Sequence, residues 1–415
     1  SGIRSRPVET GRLRRFQAWM VFCIFSPQSD DMPTFPGSLQ SKLPNVGTTI
    51  FTVMSALAQE HQAINLSQGF PNYPVSPEII ESIHRYLRDG FNQYAPMPGV
   101  QILRERIAEK MESLYGARYH PDSEITITSG GTQAIYTAIT AVVRPGDEVI
   151  VIEPAYDCYV PAIELAGGLP VYVQLELPSG KVDWEQVRKA IRPRTRMIIV
   201  NTPHNPTGSC FDASDLETLK QLTDGTEILI LSDEVYEHIL FDGRIHQSVA
   251  RHPELADRSM VVFSFGKTYH ATGWKMGYCL APANLMKEFR RVHQFVVFCA
   301  NTPFQYALAD AMQTRDYLGI PEFLQAKRDR FLELLKGSRF RFSPAGGSYF
   351  QLLDYSAITD EPDTDFAIRL TKEAGVASIP VSVFSHDYGD QRLLRFCFAK
   401  NDETLEQAAE RLRNV

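Results

Sequence analysis

Short runs rich in β-branched and aliphatic residues recur along the chain between longer stretches of helical period. Ile125 to Thr128, Val149 to Ile152, Pro170 to Val173, Met197 to Val200, Ile228 to Leu231 and Met260 to Phe263 are each only a few residues long and bounded by turn residues. Apolar runs of that length read as strands covered on both faces, the pattern of a parallel sheet. Between them lie helical patterns. Thr132 to Val143 is one, stopped by Arg144-Pro145-Gly146-Asp147; Asp212 to Leu222 is another, with Asp212 or Ser214 as its N-cap. Strands alternating with helices predict an α/β architecture, a mostly parallel sheet between two helical layers.

From about residue 320 the pattern changes. A charged helix over Glu322 to Lys336 precedes an apolar stretch at Ser348 to Leu352, a helix near Asp365 to Ala374, another apolar stretch at Leu393 to Phe398 and a last helix from Thr404. This predicts a smaller α+β domain at 319–415, completed by an arm and further segment at 32–85, beside a large domain at 86–318. Residues 1–31 read as a leader or N-terminal extension without fixed structure. There Arg4, Arg6, Arg12, Arg14 and Arg15 face one acid, Glu9, ahead of an apolar run from Ala18 to Phe25. An Arg-rich, acid-poor start is shared with transit peptides. Ser is sparse in it and Met32 would serve as a first residue, so an extension is the reading preferred here, with a cytoplasmic location.

Composition narrows the class without naming an activity. The 415 residues are 44% hydrophobic and 22% charged, the balance of a globular protein with room for a large core. Forty-two Lys and Arg against 49 Asp and Glu give a formal charge of −7, the wrong sign for a nucleic-acid binder. The longest apolar run has eight residues, where a membrane span needs about 20. Six scattered cysteines form neither a zinc spacing nor a disulfide framework.

The chemistry gathers where the strands end, because ligands of open parallel sheets bind beyond the carboxyl ends of the strands. The first run is followed by Ser129-Gly130-Gly131-Thr132-Gln133 and the second by Glu153-Pro154-Ala155-Tyr156. After Met197 to Val200 come Asn201 and Asn205; after Ile228 to Leu231 come Asp233 and Tyr236; after Met260 to Phe263 come Ser264 and Lys267. Taken singly, each is an ordinary turn, cap or surface charge. At one edge together they are not. Gly266-Lys267-Thr268 is no P-loop, since Val261 stands where its first glycine belongs, and Phe350 spoils a nucleophile elbow at Gly346-x-Ser348.

An anion cradle at a helix start, an aromatic face, an acid, phenol and amide donors and a lysine are together what pyridoxal 5′-phosphate requires. The run Ser264-Phe-Gly-Lys-Thr-Tyr-His-Ala-Thr-Gly-Trp-Lys-Met-Gly-Tyr278 resembles the Schiff-base signature of the fold-type I, class I/II aminotransferases. Among them it is most similar to the methionine aminotransferase branch, neighbour to the kynurenine and glutamine transaminases. The resemblance extends from about Gln40 to the C-terminus.

The resemblance implies roles residue by residue. Lys267 would be the Schiff-base lysine and proton carrier, Asp233 the partner of the pyridinium nitrogen, and Tyr236 and Asn205 the donors to the ring oxygen. Gly131, Thr132 and Gln133 would offer backbone N–H groups to the phosphate, with Ser264 and Lys275 beside them. Lys275 stands where relatives carry Arg, a point charge in place of a fork. Tyr156 would stack on the ring and Tyr94 would reach a neighbouring subunit's phosphate, which implies a homodimer with shared sites. Arg395 would grip the substrate α-carboxylate, helped by Gly69 and Asn205. Ile50, Phe51, Tyr73, Tyr94, Phe295 and Phe298 fall in segments resembling the substrate pocket wall, and no second arginine presents itself for a distal carboxylate. The implied reaction moves the amino group of methionine, glutamine, Phe, Tyr, Trp or kynurenine to a 2-oxo acid by a ping-pong route. A cysteine-conjugate β-lyase on the same residues is the alternative. A cofactor-sensing regulator would need an added helix-turn-helix domain, and 31 residues are too few to supply one.

Overall fold

The computed structural model describes residues 34–387 and 389–415. The expectation for residues 1–31 lies outside them. Residues 34–44 form no helix or strand and are almost wholly exposed. Residues 45–415 form a compact unit of their own.

Its centre is an eight-stranded sheet in the order Ile125–Thr128, Gly277–Leu280, Ser259–Ser264, Leu229–Asp233, Thr195–Asn201, Glu148–Glu153, Leu169–Glu176, Lys181–Val182. Six strands run in one direction. Gly277–Leu280 runs antiparallel to both its neighbours and Lys181–Val182 is an antiparallel edge. The six expected strands are all present, and the two opposed ones are additions that the apolar pattern does not predict. Alternation along each run separates two cores: Val149, Val151, Met197 and Ile199 pack with Ala134, Ala138 and Ile139 of the helix Gly130–Val142. Ile150, Ile152, Ile198 and Val200 pack on the other face with Leu216 and Leu219. Because successive strand side chains point to opposite faces, a strand covered twice must be apolar at successive positions, as Val149 to Ile152 and Met197 to Val200 are.

The helix Ala213–Thr223 starts on Asp212, whose side chain accepts from Ser214 N–H and Asp215 N–H while Asp215 returns a bond to Asp212 N–H, a capping box. The charged helix spans Ile320–Leu334. Beyond it a three-stranded antiparallel sheet runs in the order Phe350–Asp354, Leu393–Cys397, Ile379–Pro380. Ile64–Asn65 pairs in parallel with Val376–Ala377, and the helix Ile50–Glu60 packs against that pair, so chain from before residue 85 joins the C-terminal elements. Among the described residues no helix is long and apolar enough to cross a membrane.

Candidate active site

The carboxyl ends of the parallel strands open into a cavity of about 320 Å³ that also receives the centre of the small sheet. Its lining includes Gly69, Gly131, Thr132, Tyr156, Asn205, Asp233, Tyr236, Ser264, Lys267, Lys275 and Arg395. Eleven side chains or backbone segments drawn from across more than 300 positions of sequence thus meet at one place, most of them at or just beyond the end of a strand and Arg395 from within one.

Asp233 ends its strand 3% exposed. The Tyr159 hydroxyl donates to its Oδ2 at 2.6 Å and Val235 N–H to its Oδ1 at 3.3 Å. Burial nevertheless pushes the carboxyl up to about 6, against the pull of those bonds and of Lys267. A carboxylate held there favours a cation arriving beside it. Lys267, in the short helix Phe265–Thr268, points its ammonium to the Gly69 carbonyl at 3.4 Å and lies about 5.5 Å from the Tyr349 ring. Burial lowers its pKa to about 8, with Lys275 and Arg395 adding to the shift. Near neutral pH the amine therefore carries a usable neutral fraction, as a nucleophile or proton carrier needs.

Opposite, the helix Gly130–Val142 presents its N-terminus to the cavity, and its N-cap residue Ser129 makes no side-chain cap bond. Gly130 has φ +79, and a Cβ there would stand 3.3 Å from Lys275 Cε and 3.4 Å from its Nζ. Only glycine lets the backbone take that conformation with the lysine so close. Free N–H groups at a helix start beneath an ammonium form a cradle for a phosphate monoester. Thr132 Oγ1 lies 3.1 Å from the Tyr156 hydroxyl on the same wall.

Arg395 enters from the strand Leu393–Cys397 and is 1% exposed. One guanidinium nitrogen donates to Asn205 Oδ1 at 2.7 Å and another to the Ser67 carbonyl at 2.8 Å. The group lies 3.9 Å above the Phe350 ring, with Phe384 and Phe51 further off. Its Nε is buried with no partner. An unpaired donor on a buried cation is costly unless an anion completes it. Gly69 fits tightly nearby: a Cβ on it would stand 2.6 Å from the Phe350 ring, and its carbonyl accepts from Tyr349 at 2.6 Å.

Two residues expected at the site stand apart from the cavity lining. Gln133 turns its side chain back, accepting from Ser129 N–H at 2.9 Å and meeting His293 at 3.1 Å. Tyr94 is 83% exposed, stacked edge-on with Phe298. Of the expected pocket wall only Phe51 lines the cavity; Ile50, Tyr73, Phe295 and Phe298 do not. Sequence reasoning passed over Gln68, Thr272, Met276 and Phe350, which do, and Tyr159, which bonds Asp233; Asn201, placed at its strand end but given no role, lines the cavity as well. Asn201 closes its own strand, as Asp233 does. Tyr159 carries no such mark.

The donor set fits pyridoxal phosphate on chemistry alone: a phosphate cradle, a buried acid for a ring nitrogen and a desolvated lysine for an aldehyde. Comparison with known proteins agrees. The family model of aminotransferase class I and II matches residues 61–412. Methionine aminotransferase of Escherichia coli (strain K12) is 52% identical over 91% of this chain and 98% of its own length. Kynurenine–oxoglutarate transaminase 1 of Rattus norvegicus is 33% identical over 90% of this chain and 96% of its own length. A solved Escherichia coli structure described as having a methionine aminotransferase function superposes with a TM-score of 0.90 at 51% identity, covering 92% of this chain and all of that one. A single mutant of the Thermus thermophilus aspartate aminotransferase reaches 0.84 at 31% identity over 91% and 99% of the two chains. The chain belongs to the class I and II aminotransferases, enzymes that work with pyridoxal phosphate.

Proposed function

We propose that this aminotransferase takes methionine or another large neutral or aromatic amino acid as donor and a 2-oxo acid as acceptor, with the lining residues in the following roles. The single observation that carries the reading is that Lys267 and Arg395 share one cavity, with Phe51, Tyr156, Tyr236 and Phe350 in its wall and no second arginine among the described residues that line it. Pyridoxal phosphate, when bound, supplies an electron sink for the bonds at the substrate α-carbon. Arg395 grips the α-carboxylate through its unpaired donor and sets that carbon near Lys267. Lys267 carries the proton to and from it. Asp233 keeps the ring nitrogen protonated, and Tyr236 bonds the ring oxygen. Asn205 gives its oxygen to Arg395, which leaves its amide N–H for the same ring oxygen. Gly131, Thr132, Ser264 and Lys275 hold the phosphate, and Tyr156 covers the ring.

Exposed Tyr94, in ring contact with exposed Phe298, supports a homodimer in which the tyrosine reaches a neighbour's site. The division into a large domain at 86–318 and a small one at 319–415 with 32–85 belongs to the same reading, since it puts Lys267 and Arg395 on opposite sides of the cavity. A cytoplasmic enzyme is the corresponding location.

A screen of amino donors against several oxo acids, scored as kcat/KM, tests the substrate class: preference for aspartate or glutamate as donor would overturn it. Pyruvate and ammonia released from a cysteine conjugate without any oxo acid, faster than transfer, would favour the β-lyase instead. Arg395→Lys should lower kcat/KM by about 10- to 100-fold for every donor alike, the worth of a charged hydrogen bond. A loss confined to one donor would contradict α-carboxylate binding.

A further inference from the structure

The strand Leu229–Asp233 continues into Glu234-Val235-Tyr236-Glu237-His238, whose side chains divide between two environments. Asp233, Val235 and Tyr236 line the cavity. Glu234 and Glu237 turn away from it into the protein, 0% and 4% exposed. Carboxylates so placed must be paired.

Glu237 accepts from Lys110 Nζ on Oε1 and from the Tyr115 hydroxyl on Oε2 at 2.6 Å. The Tyr278 hydroxyl lies 3.4 Å from Oε1 and accepts from Lys110 at 2.7 Å. Glu234 accepts from the Ser232 hydroxyl at 2.8 Å and Val249 N–H at 3.1 Å, and meets His246 Nε2 at 2.8 Å. His238 stands 3.4 Å from Glu237, neutral because burial lowers it to about 3. Burial alone would raise the Glu237 carboxyl, but Lys110 and its other partners outweigh that and hold it down at about 2. Lys110 itself is 5% exposed and lies 5.0 Å from the Phe263 ring.

One ammonium therefore ties three elements: the helix Gln101–Tyr115 that carries it, the segment after Asp233, and the strand Gly277–Leu280, which pairs with the strand leading to Lys267. A buried ion pair is weak evidence for stability and better evidence for a fixed geometry. We infer that Lys110 is a positioning residue, its pair with Glu237 fixing the backbone from 233 to 237 so that Asp233 and Tyr236 stand at the cavity. The inference rests on the roles given to those two residues above.

The test compares wild type, Lys110→Met and the doubly neutral Lys110→Met/Glu237→Gln. In folded Lys110→Met, kcat should fall on the order of 100-fold, the scale of a small misplacement of reacting groups, while donor KM stays within about threefold. The pH midpoint of the bound cofactor's visible absorbance should move by at least about half a unit, since it reads Asp233 and Tyr236 directly. If the single variant does not fold, the double variant, free of an unpaired buried charge, carries the same prediction with a smaller fall in kcat from wild type. Wild-type kcat and absorbance in whichever variant folds would overturn the inference, and so would failure of both to fold, which would make the pair a folding element alone. Failure of the functional reading looks different: wild type itself would show no visible band and no transfer.

Discussion

Lys267→Ala should abolish amino transfer, with turnover reduced by a factor on the order of 10⁴ or more, and should remove the visible absorbance of the bound cofactor. Two contributions vanish together. General acid–base transfer by a positioned side chain is worth about 10²–10⁴, and covalent tethering adds to it. No neighbour replaces the amine: Lys275 sits over the start of the helix Gly130–Val142, and Arg395 is held by Asn205 and Ser67. Retained turnover would refute the assignment. The pKa of about 8 adds a second measurement. Only the neutral amine attacks an aldehyde, so capture of cofactor by the cofactor-free protein should quicken as pH rises and reach half its limit near pH 8. The same lowering has a thermodynamic sign. With the folded pKa below the ordinary 10.5, the unfolded chain binds more protons between the two values, so Lys267 contributes a rise in stability from about pH 8 to about 10.5.

Asp233→Ala should cost about 10²–10³ in kcat and weaken cofactor retention in parallel, because one preorganised charge serves both. Cofactor release followed by absorbance, set beside steady-state turnover, checks this; a variant that keeps both would contradict the pyridinium role. Asp233 also marks the cofactor-free protein. Its folded pKa lies near 6 against an ordinary 3.8, so the folded chain binds more protons in that interval and stability falls as pH rises through it. A cation on the bound ring opposes that loss. Unfolding measured at pH 4 and pH 7 should therefore show a larger cofactor-dependent gain at pH 7, and Asp233→Asn should flatten the difference.

Much of this was legible in the sequence for one physical reason. A parallel strand buried on both faces is apolar at every position, so it is visible as a run, and the residue after the run is delivered to the ligand edge. Asp233, Lys267, Asn205 and Tyr156 were found that way. Gly277–Leu280 escaped because its first two residues close the Ser264–Tyr278 stretch that reads as motif, and Lys181–Val182 because two residues carry no period. Side-chain direction was not legible: Gln133, expected for its backbone N–H alone, turns its side chain back to Ser129. Pairings across long separations were not legible either. Nothing near Lys110 announces Glu237, and nothing near Tyr159 announces Asp233.

The immobilised guanidinium of Arg395 bears on traffic through the enzyme. Its rotamer is fixed by Asn205 and Ser67, so in the role proposed for it the group would discriminate by carboxylate alone. Donor and acceptor present the same carboxylate. Each must therefore compete for the form of the enzyme meant for the other, and an excess of either should slow the cycle that both sustain.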